Sequence, residues 1–424
     1  MLRRLLVLAV MFMAATTARG QTSPEPDQTA AIKALLERVE QLEKRVQELE
    51  AKQGGPSDSY ATVSLRQPVA PQEPASQNPA APQSPEPAHP HDQIAAVQQA
   101  EVHYPSLQIH GFGDVDFAAT DQRGTTSGFS LGQFDLHFAS ALSQKVSYFG
   151  ETTFTATPTG YNVEVERSII RYDYNDYFKI SFGRYHTPIG YWNTAFHHGA
   201  WLQTTIARPE MVRIGGTLIP VHFVGFLAEG AIPSGPVGLN YSLGVGNGRG
   251  NVISRAGDAG DNNNNRAWVA NIFARPAALY GLQFGASVYR DKITLADGRN
   301  FRELITGAHL VWTKESPEFL AEFANMHHRQ VLTDAESNSQ AFYVQVGYRL
   351  PQFERTLKPY YRFEYIHNPL SEQVFVNQDL VESIVGVRYD ITNYAAFKGE
   401  YRHTERQATF PHVNGFFLQT AFTF

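Results

Sequence analysis

The chain contains no cysteine, so a disulfide framework is excluded and stability must come from elsewhere, such as a hydrogen-bonded ladder closed on itself. It has no apolar run long enough to cross a bilayer as a helix. The one helix-like run, Leu5 to Ala15, is too short and follows Arg3 and Arg4. It has no basic excess either: 35 Lys and Arg stand against 41 Asp and Glu, a net charge of −6, which argues against a nucleic-acid partner. No G-x-S-x-G elbow occurs, so nothing assigns a catalytic residue and the chain reads as a non-enzyme. The adjacent pairs His197-His198 and His327-His328 point to opposite sides of an extended chain and lack a third ligand. Asp261 to Asn265 lacks the oxygen spacing of a calcium loop. No metal or cofactor is therefore expected.

What is present divides the chain in four. Residues 1–20 read as a secretory signal peptide, with a cationic start, a short core and a small-x-small pattern at Ala18-Arg19-Gly20, cleavage after Ala18 being the alternative. Residues 28–53 carry Ile32, Leu35, Val39, Leu42, Val46 and Leu49 at alternating steps of three and four, a coiled-coil oligomerisation helix. Arg38 and Arg45 at g face Glu43 and Glu50 at e of a parallel neighbour. β-Branched residues at a with leucine at d favour two strands, whereas Leu36 widens the apolar face towards three. Residues 54–104 form a Pro/Ala/Gln-rich linker that cannot bury a core. A mechanical tether from the outer membrane to the cell wall is the alternative role that helix and linker raise.

From 105 to 424 the chain alternates. Leu107, Ile109, Val115 and Phe117 oppose Gln108, His110, Asp114 and Asp116; Phe134, Leu136 and Phe138 oppose Gln133, Asp135 and His137; Phe342, Val344, Val346 and Tyr348 oppose Gln345 and Arg349. Lipid outside and water inside is the simplest cause. Abundant Tyr and Phe, 20 and 28, suit interfacial girdles. About sixteen segments, with short and long connectors alternating strictly between them, predict an all-β transmembrane antiparallel barrel in a bacterial outer membrane, with its N-terminal segment in the periplasm, fourteen or eighteen strands being the alternatives. A barrel of that size leaves an aqueous lumen.

One long stretch, Arg184 to Gly216, breaks the alternation with prolines, two tryptophans and a basic and histidine cluster. It is expected to fold into the lumen as a constriction carrying Arg184, His186, Trp192, His197, His198, Trp201, Arg208 and Arg213. Inward parity places Asp114, Asp116, Asp135 and Glu151 on early strands and Arg349, Arg362, Arg388 and Arg402 on late ones. Such opposed walls create a transverse field that sorts small polar solutes. Glu364 and Glu400 share the late wall, so the arginines have neighbours to satisfy. Neutralising Arg349 and Arg388 is expected to shift selectivity towards cations.

The terminal FFLQTAFTF, with Phe416, Leu418, Phe422 and Phe424 on one parity, resembles the membrane-assembly signal of outer-membrane porins. With FGRYHTPIG at Phe182 to Gly190 and the order of signal, coiled coil, linker and barrel, the chain resembles the phosphate-selective porin family and related trimeric porins. That resemblance implies a homotrimer whose long loop between strands five and six enters the pore. The stretch has arginines and histidines but no lysine, so the solute is not carried over. The reading is a porin for small hydrophilic solutes or ions, with outer-membrane lipid around it; a rim-site enzyme is the remaining alternative.

Overall fold

The computed structural model describes residues 104–424 apart from 197–198, 376–378 and 407–411, together with Lys44, which is helical. The expected signal peptide, the rest of the expected coiled coil, the expected linker up to residue 103, His197 and His198 lie outside the described residues.

Alternating residues leave one face of each segment apolar, and antiparallel pairing of neighbours puts those faces on one surface. Sixteen strands result. They are β1 (Ser106–Thr120), β2 (Gly128–Ala141), β3 (Val146–Thr157), β4 (Gly160–Asn175), β5 (Phe178–His186), β6 (His222–Ala231), β7 (Leu239–Asn247) and β8 (Ala267–Ala274), then β9 (Leu282–Thr294), β10 (Asn300–Trp312), β11 (Glu318–Gln330), β12 (Glu336–Gly347), β13 (Leu357–His367), β14 (Leu380–Thr392), β15 (Ala395–Arg406) and β16 (Val413–Thr423). Each pairs with its sequence neighbours, and β16 pairs with β1 to close the barrel. The carboxy-terminal residue completes the seam: Gly111 N–H donates to Phe424 O at 2.9 Å and Phe424 N–H returns a bond to Gly111 O at 3.0 Å. Closure leaves no unpaired edge, which answers the missing disulfides.

The outer surface is apolar. Leu107, Ile109, Phe134, Phe182, Phe226, Ile272, Leu310, Phe323, Val385 and Phe416 are all exposed, and Tyr174, Tyr177, Tyr280, Tyr348 and Tyr394 stand near the turns of one rim, as an aromatic girdle does. Phe424 stacks on Phe134, ring centroids 5.8 Å apart. Connector lengths do not alternate strictly: β3 and β4 join through a two-residue hairpin at 158–159, and the turn between β12 and β13 spans 348–356 and includes the 3-10 turn Pro351–Phe353.

The inner face departs from the simple expectation of water. Along β8 to β13 it presents Val269, Tyr289, Ile293, Phe301, Ile305, Leu320, Ala324, Met326, Ala341, Tyr343 and Ile366, all buried in one core with Ile189, Trp192, Met211, Val212, Leu218 and Ile219 of the β5–β6 connector. Alternation registers only that two faces differ. Here the inner face is apolar where a loop covers it, and each large side chain so buried contributes about 1.5–3 kcal/mol.

Candidate functional site

The β5–β6 connector runs from 187 to 221; Arg184 and His186 belong to β5, where His186 pairs in register with His222. Apart from a one-turn helix, α1 (Trp192–Ala195), and a 3-10 turn at Glu210–Val212, its described residues have no regular structure. Most of its backbone polar groups therefore need partners outside the segment. Charged side chains of the barrel wall supply them.

Carboxylates accept from the loop's N–H groups. Glu322 on β11 takes Tyr191 and Trp192 at 2.7 and 2.8 Å, Glu400 on β15 takes Ile206 at 2.7 Å, and Glu364 on β13 takes Glu210 at 2.5 Å. Asp135 on β2 takes Gly199 at 3.2 Å. Cations donate to the loop's carbonyls: Lys398 to Ala200 and Thr205, Arg388 to Trp201 and Gln203, and Arg362 to Ala207 and Arg208. Lys358 bonds both Glu318 and the Thr204 hydroxyl. Bonds to charged groups are the stronger class, roughly 1.5–3 kcal/mol each.

Two glycines permit the close approaches. Gly190 has φ +70°, and a Cβ there would lie 1.9 Å from a Glu322 oxygen; Gly199 has φ +83°, and its Cβ would lie 2.9 Å from the Phe112 ring. The tip at Gly199 thus touches the β1–β2 wall directly.

Two cavities lie along that wall on either side of Phe112. One, of about 430 Å³, is bounded by Asp114 and Asp116 of β1, their neighbour Gln419 of β16, Gln133 and Thr155, with Arg402 of β15 and with Gly199 to Ala200 and Ile206 to Arg208 of the loop. The other, of about 480 Å³, is lined by Ser106 and Gln108 at the opposite end of β1 and by Arg167, Arg171 and Glu229.

The residues singled out in the sequence thus separate by role. Asp114, Asp116, Arg208 and Arg402 line the first cavity. Arg402 is held by Glu400 at 2.6 Å and lies 3.9 Å over the Phe417 ring, and Gln419 donates to Asp116. Asp135, Arg362 and Arg388 hold the loop, and Glu151 binds Arg167 and His137 on the wall. Arg349 lies beyond the end of β12, ion-paired to Glu315 and Asp390 at the rim, because Gly347 is the last residue of the ladder. Arg184 is taken up by Glu164 and Asp258, each at 2.9 Å. His186 is buried beside Glu151 and His222. Trp192 is fully buried under Tyr343, a packing residue; Trp201 has the Arg388 guanidinium 5.8 Å over its ring; Arg213 is exposed and pairs with Glu210. The wall anchors Lys358, Lys398, Glu318 and Glu322 escape a search for arginine and aspartate clusters. Their signal was inward parity, which Glu364 and Glu400 share.

A second group fixes the other rim. Arg249, in the β7–β8 connector and 2% exposed, donates to both Glu303 oxygens, to Ile253 O and to Leu218 O. His328 bridges Glu303 at 3.1 Å and Glu372 at 2.9 Å, while His327 of the same pair bonds Asn338 on the outer side. Burial works to raise the Glu372 carboxyl, but the hydrogen bond and charge of His328, with the Val374 N–H and the Ser337 hydroxyl, outweigh it and bring it to about 2 from an ordinary 4.5. A carboxyl lowered by folding stabilises above its unfolded pKa, and that stabilisation is lost as pH falls through the folded one. Protection factors of the amides at 368–375, taken against intrinsic exchange at each pH, are therefore expected to fall as pH falls from about 4.5 towards 2, and Glu372→Gln to lower them already at neutral pH. Pulse-labelling mass spectrometry reads both; an exchange rate independent of Glu372 refutes the anchoring role.

No family model matches the chain, and no curated protein matches it. Solved structures do. The anion-selective porin from Comamonas acidovorans superposes with a TM-score of 0.57 at 9% identity, over 76% of this chain and 100% of that one. The outer membrane channel DcaP of Acinetobacter baumannii gives 0.52 at 12% identity, over 76% and 97%. The trimer form of OmpT, an outer membrane protein of Vibrio cholerae, gives 0.51 at 12%, over 76% and 99%. The barrel has the fold of outer-membrane porins.

Proposed function

We propose that this protein is an outer-membrane porin through which small hydrophilic solutes or ions diffuse passively, and that the connector 187–221 narrows the path. One observation supports the reading: the loop bonds Asp135 on β2 as well as Glu322 on β11 and Arg388 and Lys398 on β14 and β15, with a cavity on either side of its contact with β2. A loop held by charged side chains from β2 and from β11 to β15 is a fixed partition. The passage runs along β1 and β2, past Asp114 and Asp116 and past Arg208 and Arg402. The fold of the similar structures supports the membrane, and the trimer form recorded for one of them supports a homotrimer.

Planar-bilayer recording of the purified full chain tests this. Discrete conductance steps grouped in threes are expected. Silence from folded, heat-modifiable protein refutes passive diffusion, and single ungrouped steps refute the trimer alone.

A further inference from the structure

Near the β15–β16 connector, on the outer parity of the barrel, three side chains converge. Glu405 Oε1 lies 3.4 Å from His403 Nε2 and 3.2 Å from His412 Nδ1; Glu405 and His412 are exposed and His403 is half-buried. The two imidazoles stack, interplanar angle 21°.

The hydrogen bonds around them fix which histidine nitrogen faces the carboxylate. Asn414 N and Nδ2 both donate to Asp121, at 2.7 Å each. A carboxylate only accepts, so the Asn414 amide is oriented with its nitrogen to Asp121 and its oxygen the other way. That oxygen accepts from Tyr401 OH at 2.8 Å and faces His403 Nδ1 at 2.8 Å. His403 Nδ1 is accordingly a donor, and the lone pair of the neutral ring sits on Nε2, aimed at the Glu405 carboxylate. A lone pair facing an anion is repulsive unless a proton on the ring or a metal ion stands between them.

We propose that His403, Glu405 and His412 bind a divalent transition-metal ion of the Zn²⁺ class, with the remaining position open to solvent. Tetrahedral ligands at about 2.0–2.1 Å from such an ion stand roughly 3.3–3.5 Å apart, close to the separations to Glu405 Oε1 given above. Two imidazoles and one carboxylate are the donor set that suits zinc, copper or nickel over calcium or magnesium. The Asn414 bond to the far nitrogen is the outer-shell contact that metal-binding histidines use to fix tautomer and ring. The other constellation of this kind, Glu164, Glu166 and His222, already holds a cation: the Arg184 guanidinium lies 2.9 Å from Glu164.

Zn²⁺ titration of the folded full chain in detergent, against a chromophoric competitor, tests the site. A saturable site is expected that His403→Ala and His412→Ala each weaken by on the order of 100-fold, while His367→Ala, removing an exposed histidine paired with Asp379, leaves it unchanged. Asn414→Ala keeps all three ligands and is expected to weaken binding about 10- to 100-fold. Co²⁺ in the same site should give the intense visible bands of tetrahedral coordination. Circular dichroism establishes that each variant is folded. Equal Zn²⁺ affinity in wild type and the His403→Ala/His412→Ala double variant, or a Co²⁺ spectrum of the aqueous ion, overturns the proposal.

Discussion

Replacing Arg388 and Lys398 with methionine is expected to detach the tip of the 187–221 loop and raise both the mean single-channel conductance and its noise. These two side chains donate to the carbonyls of Ala200, Trp201, Gln203 and Thr205, and the described loop offers those carbonyls no helix or strand partner. Methionine keeps the aliphatic stem and removes the donors, so the carbonyls must find water, which they reach only by leaving the wall. Removing one member of a buried charge network costs about 3–5 kcal/mol, and here Asp390 loses its Arg388 partner at the same time. The barrel ladder does not depend on these side chains, so strand structure is expected to survive while the loop becomes accessible to protease. Arg388→Lys with Lys398→Arg keeps the charge and should restore part of the docking. Unchanged conductance and unchanged protease resistance in the methionine variant would show that the apolar contacts of Trp192, Met211 and Ile219 hold the loop unaided.

The barrel was legible in the chain because its signal is repeated. Each segment alternates, and the strands begin within a few residues of where turn residues end the preceding run. The loop's place was legible by exclusion, since prolines and tryptophans interrupt the alternation between Phe182 and Pro220. Its anchoring was not. A period of two says that Lys358, Arg362, Arg388 and Lys398 share a face with Glu318, Glu364 and Glu400, but it does not say whether that face meets water or backbone. Which partner each charge finds depends on a connector whose path no local pattern encodes. The same limit applies to Arg349: its parity is inward, yet the ladder ends at Gly347 and the side chain turns to Glu315 and Asp390 at the rim. The convergence of His403, Glu405 and His412 is likewise a product of hairpin register, in which His403 lies opposite Asn414.

These assignments relocate the charges that set ion selectivity. Arg349 and Arg388 are consumed by carboxylates and loop carbonyls, so neutralising Arg349 alone is expected to leave the reversal potential unchanged. Asp114 and Asp116, by contrast, share the cavity beside the loop tip with Arg208 and Arg402. The double variant Asp114→Asn/Asp116→Asn removes the acidic pair from the wall without touching the loop's anchors, and the potential under a salt gradient should move towards anions. Arg402→Gln should move it towards cations. A unit charge a few ångströms from a permeating ion is worth on the order of 1 kcal/mol at the dielectric of bulk water, so each change should alter the permeability ratio several-fold. Screening supplies the internal control: with a Debye length of about 10 Å at 0.1 M and about 3 Å at 1 M, the shifts should shrink as salt rises. A loop-release effect would instead alter conductance at every salt concentration. If the aspartate variant left the reversal potential where it was in dilute salt, the passage would have to lie elsewhere than between β1 and the loop, and the wall of Arg167, Arg171 and Glu229 around the second cavity would become its boundary.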